Sequence, residues 1–464
     1  MPSGPEGFVE DPAYATELNH AKELLLAHPG RWRIIYHYDG DGIASASSAV
    51  RALQRLGYAF QATPLVGVER RGMEEILSAT PGPVLVVDTG AAWLDLMAAH
   101  PKPVVVLDHH QYVGAPHPPA LPPHVAFVNP LDWGVDGMSE LCAATLTWLF
   151  TIFLDPKNWD NAPWGLSGAI ADRQHQQGFQ GLNARLVGEA LDHSLLRRAP
   201  GPALFGRTLA EAIARSIDPY FAGLSGRNPE TERFLRSISL DPSRPLASLN
   251  REEQAALVSA LSARLVHRGV RPEFVSLLTQ EGWTLPSLDI DARELSNLQN
   301  ATGREGMPGV GIALALGDVG ALAAARQAEE AWRNGILAGL QRVETKGVNS
   351  LRALQWFESE ETTLAGTQAG LAMNYLLDPH RPVFVFTASD RSVKLSGRGT
   401  LWLVEQGLDL STACRSAASL VGGEGGGHRV AAGATIPLGT RDAFLAEADR
   451  IVGGQLPLPR EAAG

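Results

Sequence analysis

Three short apolar runs, each ending at or beside an acidic residue, constrain the fold of this chain more than any other feature. The runs are residues 32–38 (WRIIYHY), 83–88 (PVLVVD) and 103–108 (PVVVLD), and segments with helical spacing, such as 44–56 and 139–154, alternate with them. Continuous β-branched runs that alternate with helices indicate a parallel sheet covered on both faces. The N-terminal part of the chain is therefore predicted to be an α/β domain.

Acidic and imidazole side chains follow the three predicted strands. They are His37, Asp39, Asp41, Asp88, Asp108, His109 and His110. The first three alternate along the chain, so an extended backbone would point them to one side. Because ligands of open α/β sheets bind beyond the carboxyl ends of the strands, we expect all of these side chains in one crevice.

A crevice of this composition is predicted to bind metal ions. A lone aspartate after a strand most often caps a helix, but three such strand ends together indicate a site. Clustered carboxylates repel each other and are costly to desolvate, and a cation removes both problems. Oxygen ligands with one or two imidazoles suit Mn²⁺ and, less specifically, Zn²⁺ or Co²⁺. Six or more ligands favour two ions, an arrangement that serves phosphoester hydrolysis.

Composition excludes several other classes of protein. The chain has 39 Lys and Arg against 50 Asp and Glu, and this net charge of −11 argues against a protein that coats nucleic acid by charge alone. No GxxxxGK[ST] loop occurs, which disfavours a Walker-type ATPase. Cys142 and Cys414 cannot build a disulfide framework or a thiolate zinc site. Because the sequence also shows no secretory leader and no apolar stretch of ~20 residues, we expect a cytoplasmic protein without a membrane segment.

The pattern along the chain changes twice. From about residue 196 to 340, apolar residues recur at helical spacing, as in 252–266, and strand-like runs are few. Beyond this segment the α/β alternation returns, with a helix predicted at 362–377 and a strand at 382–387. We predict three domains, namely 1–195 (α/β), 196–340 (an inserted, mostly helical or mixed domain) and 341–464 (α/β).

The chain resembles the DHH phosphoesterase superfamily in four motifs. These are HYDGDGIAS (37–45), VVDTG (86–90), LDHHQ (107–111) and GAIADRQ (168–174). The segment VGGEGGGHRVAAGATIP (421–437) resembles the glycine-rich signature of the DHH-associated C-terminal domain, DHHA1, and SGRG (396–399) lies upstream of it. The segments 216–226 and 292–318 are similar to archaeal RecJ-like exonucleases. The resemblance covers nearly the whole chain and implies an N-terminal DHH domain and a C-terminal DHHA1 domain.

The resemblance implies a set of ligands for two metal ions. The implied ligands are His37, Asp39, Asp41, Asp88, His109 and Asp172. The first two would hold one ion, and Asp41, His109 and Asp172 would hold the other. Asp88 would bridge both ions. Mn²⁺ is the implied metal, with Mg²⁺ or Co²⁺ as substitutes.

The resemblance also implies roles in catalysis and in substrate binding. His110 would face the scissile phosphate, as an acid or a phosphate ligand, and Asp108 would orient a ligand imidazole. A second set of residues would bind the phosphate or the end of the substrate through backbone N–H groups and charged donors. This set is Ser396, Arg398, Gly425, Gly426, Gly427 and His428.

The implied function is that of a Mn²⁺-dependent exonuclease on single-stranded DNA or RNA. Two alternatives stay open: a phosphodiesterase for oligonucleotides or cyclic dinucleotides, and a replication-complex scaffold with residual nuclease activity. Relatives that act on small substrates typically lack a long insertion between the two catalytic domains, so the segment 196–340 favours the nuclease. This insertion would also contact replication or repair proteins.

A few other residues allow two interpretations. His175 is predicted to be a surface helix residue. Asn300 and Arg304 would contact nucleic acid or brace a domain interface, and the sequence does not decide between these roles. Three tryptophans are predicted to fill cores rather than to stack on bases: Trp133, Trp159 and Trp164.

Overall fold

The computed structural model describes residues 12–66, 70–112, 120–176, 178–199, 201–389 and 392–456. The chain divides into two compact units, one comprising Met1–Gly201 and Gln280–Glu330, the other Pro202–Thr279 and Ala331–Gly464. We refer to them as the first and the second unit. The segment 196–340 is thus shared between the two units, and the three-domain boundaries stay a prediction.

The described residues form eighteen α-helices and fourteen strands. The helices are α1 (Pro12–Leu26), α2 (Gly40–Arg55), α3 (Arg70–Ser78), α4 (Leu94–Ala99), α5 (Ala143–Leu154), α6 (Ala162–Ala171), α7 (Gly181–Asp192), α8 (Leu209–Ala214), α9 (Asn228–Ser237), α10 (Arg251–His267), α11 (Pro272–Val275), α12 (Ala292–Arg304), α13 (Pro308–Ala315), α14 (Ala321–Lys346), α15 (Thr362–Tyr375), α16 (Leu401–Glu405), α17 (Leu410–Leu420) and α18 (Arg441–Gln455). The strands are β1 (Arg31–His37), β2 (Ala59–Leu65), β3 (Val84–Val87), β4 (Val104–Leu107), β5 (Val125–Val128), β6 (Arg197–Ala199), β7 (Gly282–Leu285), β8 (Ile290–Asp291), β9 (Asn349–Ser350), β10 (Gln355–Glu358), β11 (Val383–Ala388), β12 (Ser392–Arg398), β13 (Glu424–Gly427) and β14 (Ala431–Pro437).

The first unit contains the predicted parallel sheet. Its five strands are all parallel and lie in the order β2-β1-β3-β4-β5. Alternate residues point to opposite faces of a strand, so Ile34, Leu85 and Val105 enter one hydrophobic core, and Ile35 and Val86 enter the other. The prediction of a sheet buried on both faces is confirmed.

The turn after β1 differs from the prediction. The helix begins at Gly40, not near residue 44, and the Asp39 side chain accepts a hydrogen bond from the Gly42 N–H at 3.2 Å as its N-cap. Asp41 therefore lies in the first helical turn. An extended backbone through all three polar residues was wrong, because capping by a short carboxylate starts the helix there.

The second unit contains a six-stranded sheet in the order β13-β14-β12-β11-β10-β9. β10 and β11 are parallel, and the other neighbours are antiparallel. The glycine-rich residues Glu424–Gly427 form strand β13 at the edge of this sheet, paired with β14. The C-terminal α/β domain predicted from the sequence is present, with a mixed sheet.

The segment between these sheets is mostly helical, as predicted. A small antiparallel sheet, β6-β7-β8, accompanies the helices. In the first unit, α12 and α13 pack against α2, the helix that carries Asp41. Among the described residues, no helix is long and apolar enough to cross a membrane. Three tryptophans are 3–8% exposed and lie in the core, as predicted: Trp133, Trp159 and Trp164.

Candidate metal centre

The carboxyl ends of β1, β3 and β4 deliver most of the predicted ligands to one place in the first unit. Asp88 directly follows β3 and has a φ of 58°, in the left-handed region that aspartate tolerates better than most residues. Asp108 and His109 follow β4. Three groups of residues place their ligand atoms within 4.8 Å of one another: His37–Asp39–Asp88, Asp41–His109–Asp172 and Asp88–His109–His110.

Asp88 is the residue that joins these groups. Its carboxylate oxygens lie 3.5 Å from His37 Nδ1 and 3.3 Å from His109 Nε2. The Asp88 side chain is only 3% exposed, so its charge is poorly screened by water. One buried carboxylate therefore contacts both imidazoles, one from each of two ligand groups.

Asp41 is buried at the N-terminus of α5. Its two oxygens accept hydrogen bonds from the backbone N–H groups of Ala143 (3.1 Å) and Ala144 (2.9 Å). Burial, together with the charges of Asp88 and Asp172, nevertheless raises the pKa of Asp41 well above its usual range. The N–H groups at the start of α5 favour the ionised form of Asp41. They do not offset the repulsion between the three neighbouring carboxylates, which favours the protonated form.

A backbone carbonyl fixes the orientation of His109. Its Nδ1 lies 2.7 Å from the Gly137 carbonyl oxygen, which can only accept, so Nδ1 carries a proton. In the neutral ring, Nε2 then has a free lone pair, and it lies 3.3 Å from Asp88 and 3.7 Å from Asp41. A Cβ at Gly137 would lie 2.3 Å from the His109 carbonyl oxygen, so this close approach requires glycine.

Asp172 follows α6 and completes the cluster. Gln174 Nε2 donates to Asp172 Oδ2 and to the Gly137 carbonyl, both at 2.7 Å, and Asn183 donates to Gln174 Oε1 at 2.6 Å. Burial, outweighing the attraction of His109, raises the pKa of Asp172 to about 6. Gln174 therefore positions Asp172 and the carbonyl that holds His109.

Asp108 and His110 form a separate pair at the edge of the cluster. Asp108 is buried and accepts hydrogen bonds from the N–H groups of Ala91 (2.8 Å) and His109 (2.8 Å), and its Oδ1 lies 2.8 Å from His110 Nδ1. Burial alone would raise the pKa of Asp108, but His110 outweighs it and holds the pKa well below its usual range. Burial lowers the pKa of His110, but Asp108 outweighs it and raises this pKa to about 9. The Asp108 carboxylate thus already accepts hydrogen bonds from these donors, and Asp108 belongs to none of the three groups of candidate metal ligands.

Residues from α12 brace the turn that carries Asp39. The Asn300 Oδ1 atom accepts a hydrogen bond from the Gly40 N–H at 3.2 Å. Arg304 donates to the Tyr38 hydroxyl at 2.7 Å, and its guanidinium carbon lies 5.0 Å from the centre of that ring. Burial raises the pKa of Asp39, but His37 and Arg304 outweigh it and hold the pKa below its usual range. For Asn300 and Arg304, the structure shows a bracing contact within the first unit.

The prediction for His175 was wrong. This residue lies in a turn after α6 rather than in a surface helix, and it is partly buried. Burial, with Arg293 and Arg173 nearby, lowers the pKa of His175 to about 3. Sequence reasoning also missed Gly137 and Gln174, and only the presence of Gln174 within the GAIADRQ motif pointed to a role.

The donor set fits divalent cations. Carboxylate oxygens and imidazole nitrogens are ligands that Mn²⁺ and related ions accept. The raised pKa values of Asp41 and Asp172 reflect crowded negative charge, which a bound cation would neutralise. The six predicted ligands could hold two ions, with Asp88 available to both.

The second predicted set lies in the second unit. Ser396 of β12 pairs with Gly433 of β14, which pairs with Gly426 of β13, so the serine and the glycines are in register across three strands. Gly427 has a φ of 134°. A Cβ at Gly426 would meet no atom within 4 Å, so this glycine leaves open space beside the strand. The glycine-rich segment is therefore an ordered strand rather than a linker.

Comparisons with known proteins agree with this architecture. The sequence matches the N-terminal domain of the DHH family over residues 31–170 and the DHHA1 domain over residues 359–454. An uncharacterised protein from Methanocaldococcus jannaschii is 27% identical over 445 residues, which cover 94% of this chain and 96% of the relative.

Two solved structures resemble the chain along most of its length. RecJ in complex with Mn²⁺ from Thermus thermophilus has a TM-score of 0.59 at 19% identity, over 97% of this chain and 56% of that RecJ. CDC45 from Entamoeba histolytica has a TM-score of 0.65 at 9% identity, over 97% of this chain and 100% of that chain. At such identities these likenesses show a shared fold. With the two domain matches and the strand-end motifs in place, the chain belongs to the DHH/DHHA1 superfamily of metal-dependent phosphoesterases.

Proposed function

We propose that this protein is an exonuclease that hydrolyses phosphodiester bonds of single-stranded nucleic acid with two divalent ions, Mn²⁺ foremost. The observation that carries the proposal is the position of Asp88, which belongs to two groups of ligand atoms at once. A carboxylate shared between two cation sites is typical of centres that act on phosphoesters.

The six ligands would divide between two ions. His37 and Asp39 would hold one ion, and Asp41, His109 and Asp172 would hold the other. Asp88 groups with His37 and Asp39 and lies 3.3 Å from His109 Nε2, which supports a role for it at both ions. When bound, such ions activate water and neutralise charge that develops on the phosphoryl group. Because Gly137 holds a proton of His109 on Nδ1, Nε2 is the nitrogen that would bind an ion.

His110 provides a cation or a proton at the edge of this centre. Asp108 fixes the His110 ring through Nδ1, so Nε2 is directed elsewhere, and the side chain is half exposed. Its raised pKa of about 9 favours the protonated form at neutral pH. A protonated imidazole can contact a phosphate oxygen or donate a proton to the leaving oxygen. Asp108 acts by holding His110 rather than by binding metal.

The glycine strand of the second unit binds the terminal phosphate of the substrate. β13 is the edge strand of its sheet and pairs with β14 on one side only. Its other side is available to a ligand, and the open space beside Gly426 allows an anion to approach the backbone closely. Charged and polar side chains add to this surface on neighbouring positions: Ser396, Arg398 and His428.

Single-stranded nucleic acid is proposed as the substrate because the chain resembles RecJ along 97% of its length. The presence of all six ligand residues supports an enzyme over a pure scaffold. Contacts with replication or repair proteins through the segment 196–340, and a cytoplasmic location, stay predictions.

The test is hydrolysis of labelled strands with Mn²⁺ present. With strands labelled at one end or at the other, we expect stepwise shortening where the label lies opposite the attacked end and early release of the label where it does not. The Asp88→Asn variant should give neither product. A cyclic dinucleotide and a linear dinucleotide are assayed in parallel. Faster turnover of these small substrates would replace the nuclease with the phosphodiesterase, and absence of hydrolysis of every substrate would favour the scaffold.

A further inference from the structure

A cavity of about 770 Å³ lies within the second unit. It is lined by residues at the C-terminal end of α10, by the loop around Tyr220 and by Tyr375 at the end of α15. None of its lining residues belongs to the metal centre or to the glycine strand. Its volume is within the range of sites that bind small organic ligands, about 300–1,000 Å³. Arg264, His267 and Arg268 are exposed, so the cavity opens to solvent on that side.

One wall of the cavity is basic. The stretch RLVHRGVR (264–271) contains three arginines and a histidine but no acidic residue, in a chain of net charge −11. Arg264, His267 and Arg268 all line the cavity. Arg264 and Arg268 are four residues apart at the end of one helix, so their side chains lie on the same face.

The charge of these two arginines is not compensated within the described part of the chain. No carboxylate there lies within ion-pair distance of either guanidinium. Glu344 is the acidic group that attracts Arg264 from a distance, but its carboxylate already accepts from Tyr220 (2.9 Å) and pairs with Arg227 (2.7 Å). Burial and the neighbouring Arg268 lower the pKa of Arg264, as expected for two cations held together.

The second carboxylate close to the cavity is also engaged. Asp218 accepts a hydrogen bond from the Tyr375 hydroxyl. The hydroxyl groups of Tyr220 and Tyr375 thus donate to Glu344 and Asp218, respectively. Arg264 and Arg268 are the two permanently charged residues among those that line the cavity.

Arg264 is held in position before any ligand arrives. Its Nη2 donates to the Ala222 carbonyl at 3.0 Å, and its guanidinium carbon lies 5.5 Å from the centre of the Phe234 ring. A guanidinium has five N–H donors, so most of them remain for a ligand. An ordered guanidinium loses less entropy on binding than a free one.

We propose that this cavity binds a phosphorylated ligand of nucleotide size, with its phosphate between Arg264 and Arg268. Paired guanidinium groups match the oxygen geometry of phosphate. Phosphate alone would leave most of the volume unfilled, so the ligand carries an organic part that packs on Ala222, Leu265 and Val270. The lining of the site shares no residue with the metal centre. The ligand is either a free nucleotide or the phosphate-bearing end of a strand.

The experiment measures binding by calorimetry in EDTA, which excludes metal-dependent binding. The probes are adenosine 5′-monophosphate, adenosine, inorganic phosphate and a short 5′-phosphorylated oligonucleotide. The full chain is compared with two variants. Arg268→Ala removes a side chain that forms no ion pair with any described residue, and Arg251→Ala removes a matched arginine at the opposite end of α10. The His428→Ala variant reports binding at the glycine strand.

We expect adenosine 5′-monophosphate to bind the full chain and the Arg251→Ala variant equally. Arg268→Ala should weaken this binding by about ten- to a hundredfold, the cost of one charge-assisted contact. Adenosine and inorganic phosphate should both bind more weakly than the monophosphate. If the oligonucleotide binds more tightly than the monophosphate and is equally sensitive to Arg268→Ala, the ligand is a strand end. Absence of binding, or binding that Arg268→Ala leaves unchanged, would overturn the proposal. Loss of that binding in His428→Ala would then place the ligand at the glycine strand.

Discussion

The Asp88→Asn substitution tests the metal centre directly. Asparagine has nearly the same shape as aspartate and also tolerates the left-handed conformation, so the φ of 58° at this position is kept. The variant removes one negative charge and leaves an oxygen that can still accept hydrogen bonds. Any large effect therefore reports on charge rather than on a distorted turn.

The expected loss of affinity for the divalent ions follows from the position of the Asp88 carboxylate. Its oxygens lie 3.5 Å from His37 Nδ1 and 3.3 Å from His109 Nε2, in a side chain that is 3% exposed. Two unit charges about 4 Å apart interact by about 4 kcal/mol at an effective dielectric constant near 20. Because about 1.4 kcal/mol corresponds to a tenfold change, loss of this charge should weaken binding of each divalent ion by about a thousandfold or more.

The assay is calorimetric titration with Mn²⁺, together with turnover of a labelled single strand. We expect Asp88→Asn to lose tight binding of both ions and nearly all turnover. Asp108→Asn should keep both ions and lose only about 10–100-fold in turnover, since it acts through His110. Asp95→Asn, a charge removed from an exposed side chain paired with Arg70, is the matched control and should behave as the wild type. Two ions bound to Asp88→Asn with unchanged affinity would refute the two-ion assignment.

Three further substitutions test other parts of the molecule. Gly426→Ala should leave the thermal midpoint unchanged, because the added methyl group meets no atom within 4 Å, but should raise KM for the strand about tenfold or more; an unchanged KM would argue against phosphate binding there. Arg304→Met removes the hydrogen bond to Tyr38 and the contact with its ring, which should cost about 1–3 kcal/mol in urea unfolding. It should also raise the pKa of Asp39, so Mn²⁺ binding should weaken as the pH is lowered; a pH dependence equal to that of the wild type would contradict this. Burial raises the pKa of Glu17 to about 7, so the wild type should lose stability as the pH rises from about 4.5 through 7. Glu17→Gln should remove that loss, about 1–2 kcal/mol after allowance for solvent screening. If the free energy of unfolding changes equally in the two proteins between pH 5 and pH 8, the charge of Glu17 is unimportant.

Local sequence patterns were enough to predict the sheet of the first unit and the edge at which its acidic and imidazole side chains gather. Valine-rich runs separated by helices imply parallel strands, and parallel strands end at the same edge. Asp88, Asp108 and His109 could therefore be expected together, although they are separated along the chain. The likeness of the motifs to the DHH and DHHA1 families was likewise readable from residues 37–45 and 421–437.

Local patterns were less reliable at the turns. The alternation of His37, Asp39 and Asp41 suggested an extended backbone, but Asp39 caps α2 and Asp41 belongs to its first turn. These three residues could continue a strand or cap a helix, and the local pattern is consistent with both. In the structure they begin helix α2, which packs against α5 and α6. The turn that contains His175 was likewise mistaken for part of a helix, because the local pattern does not show where α6 ends.

Contacts between residues distant in sequence came only from the tertiary structure. Asn300 supports Gly40 from 260 residues away, and Gly137 holds His109 through a carbonyl that carries no side-chain signal. The cavity beside Arg264 and Arg268 requires α15 to pack near the end of α10. The sequence by itself determined which segments become strands and helices, because backbone periodicity is a local property. Beyond the shared edge of the parallel strands, tertiary structure alone decided which of these segments meet, because burial of their apolar faces is satisfied only when distant parts of the chain pack together.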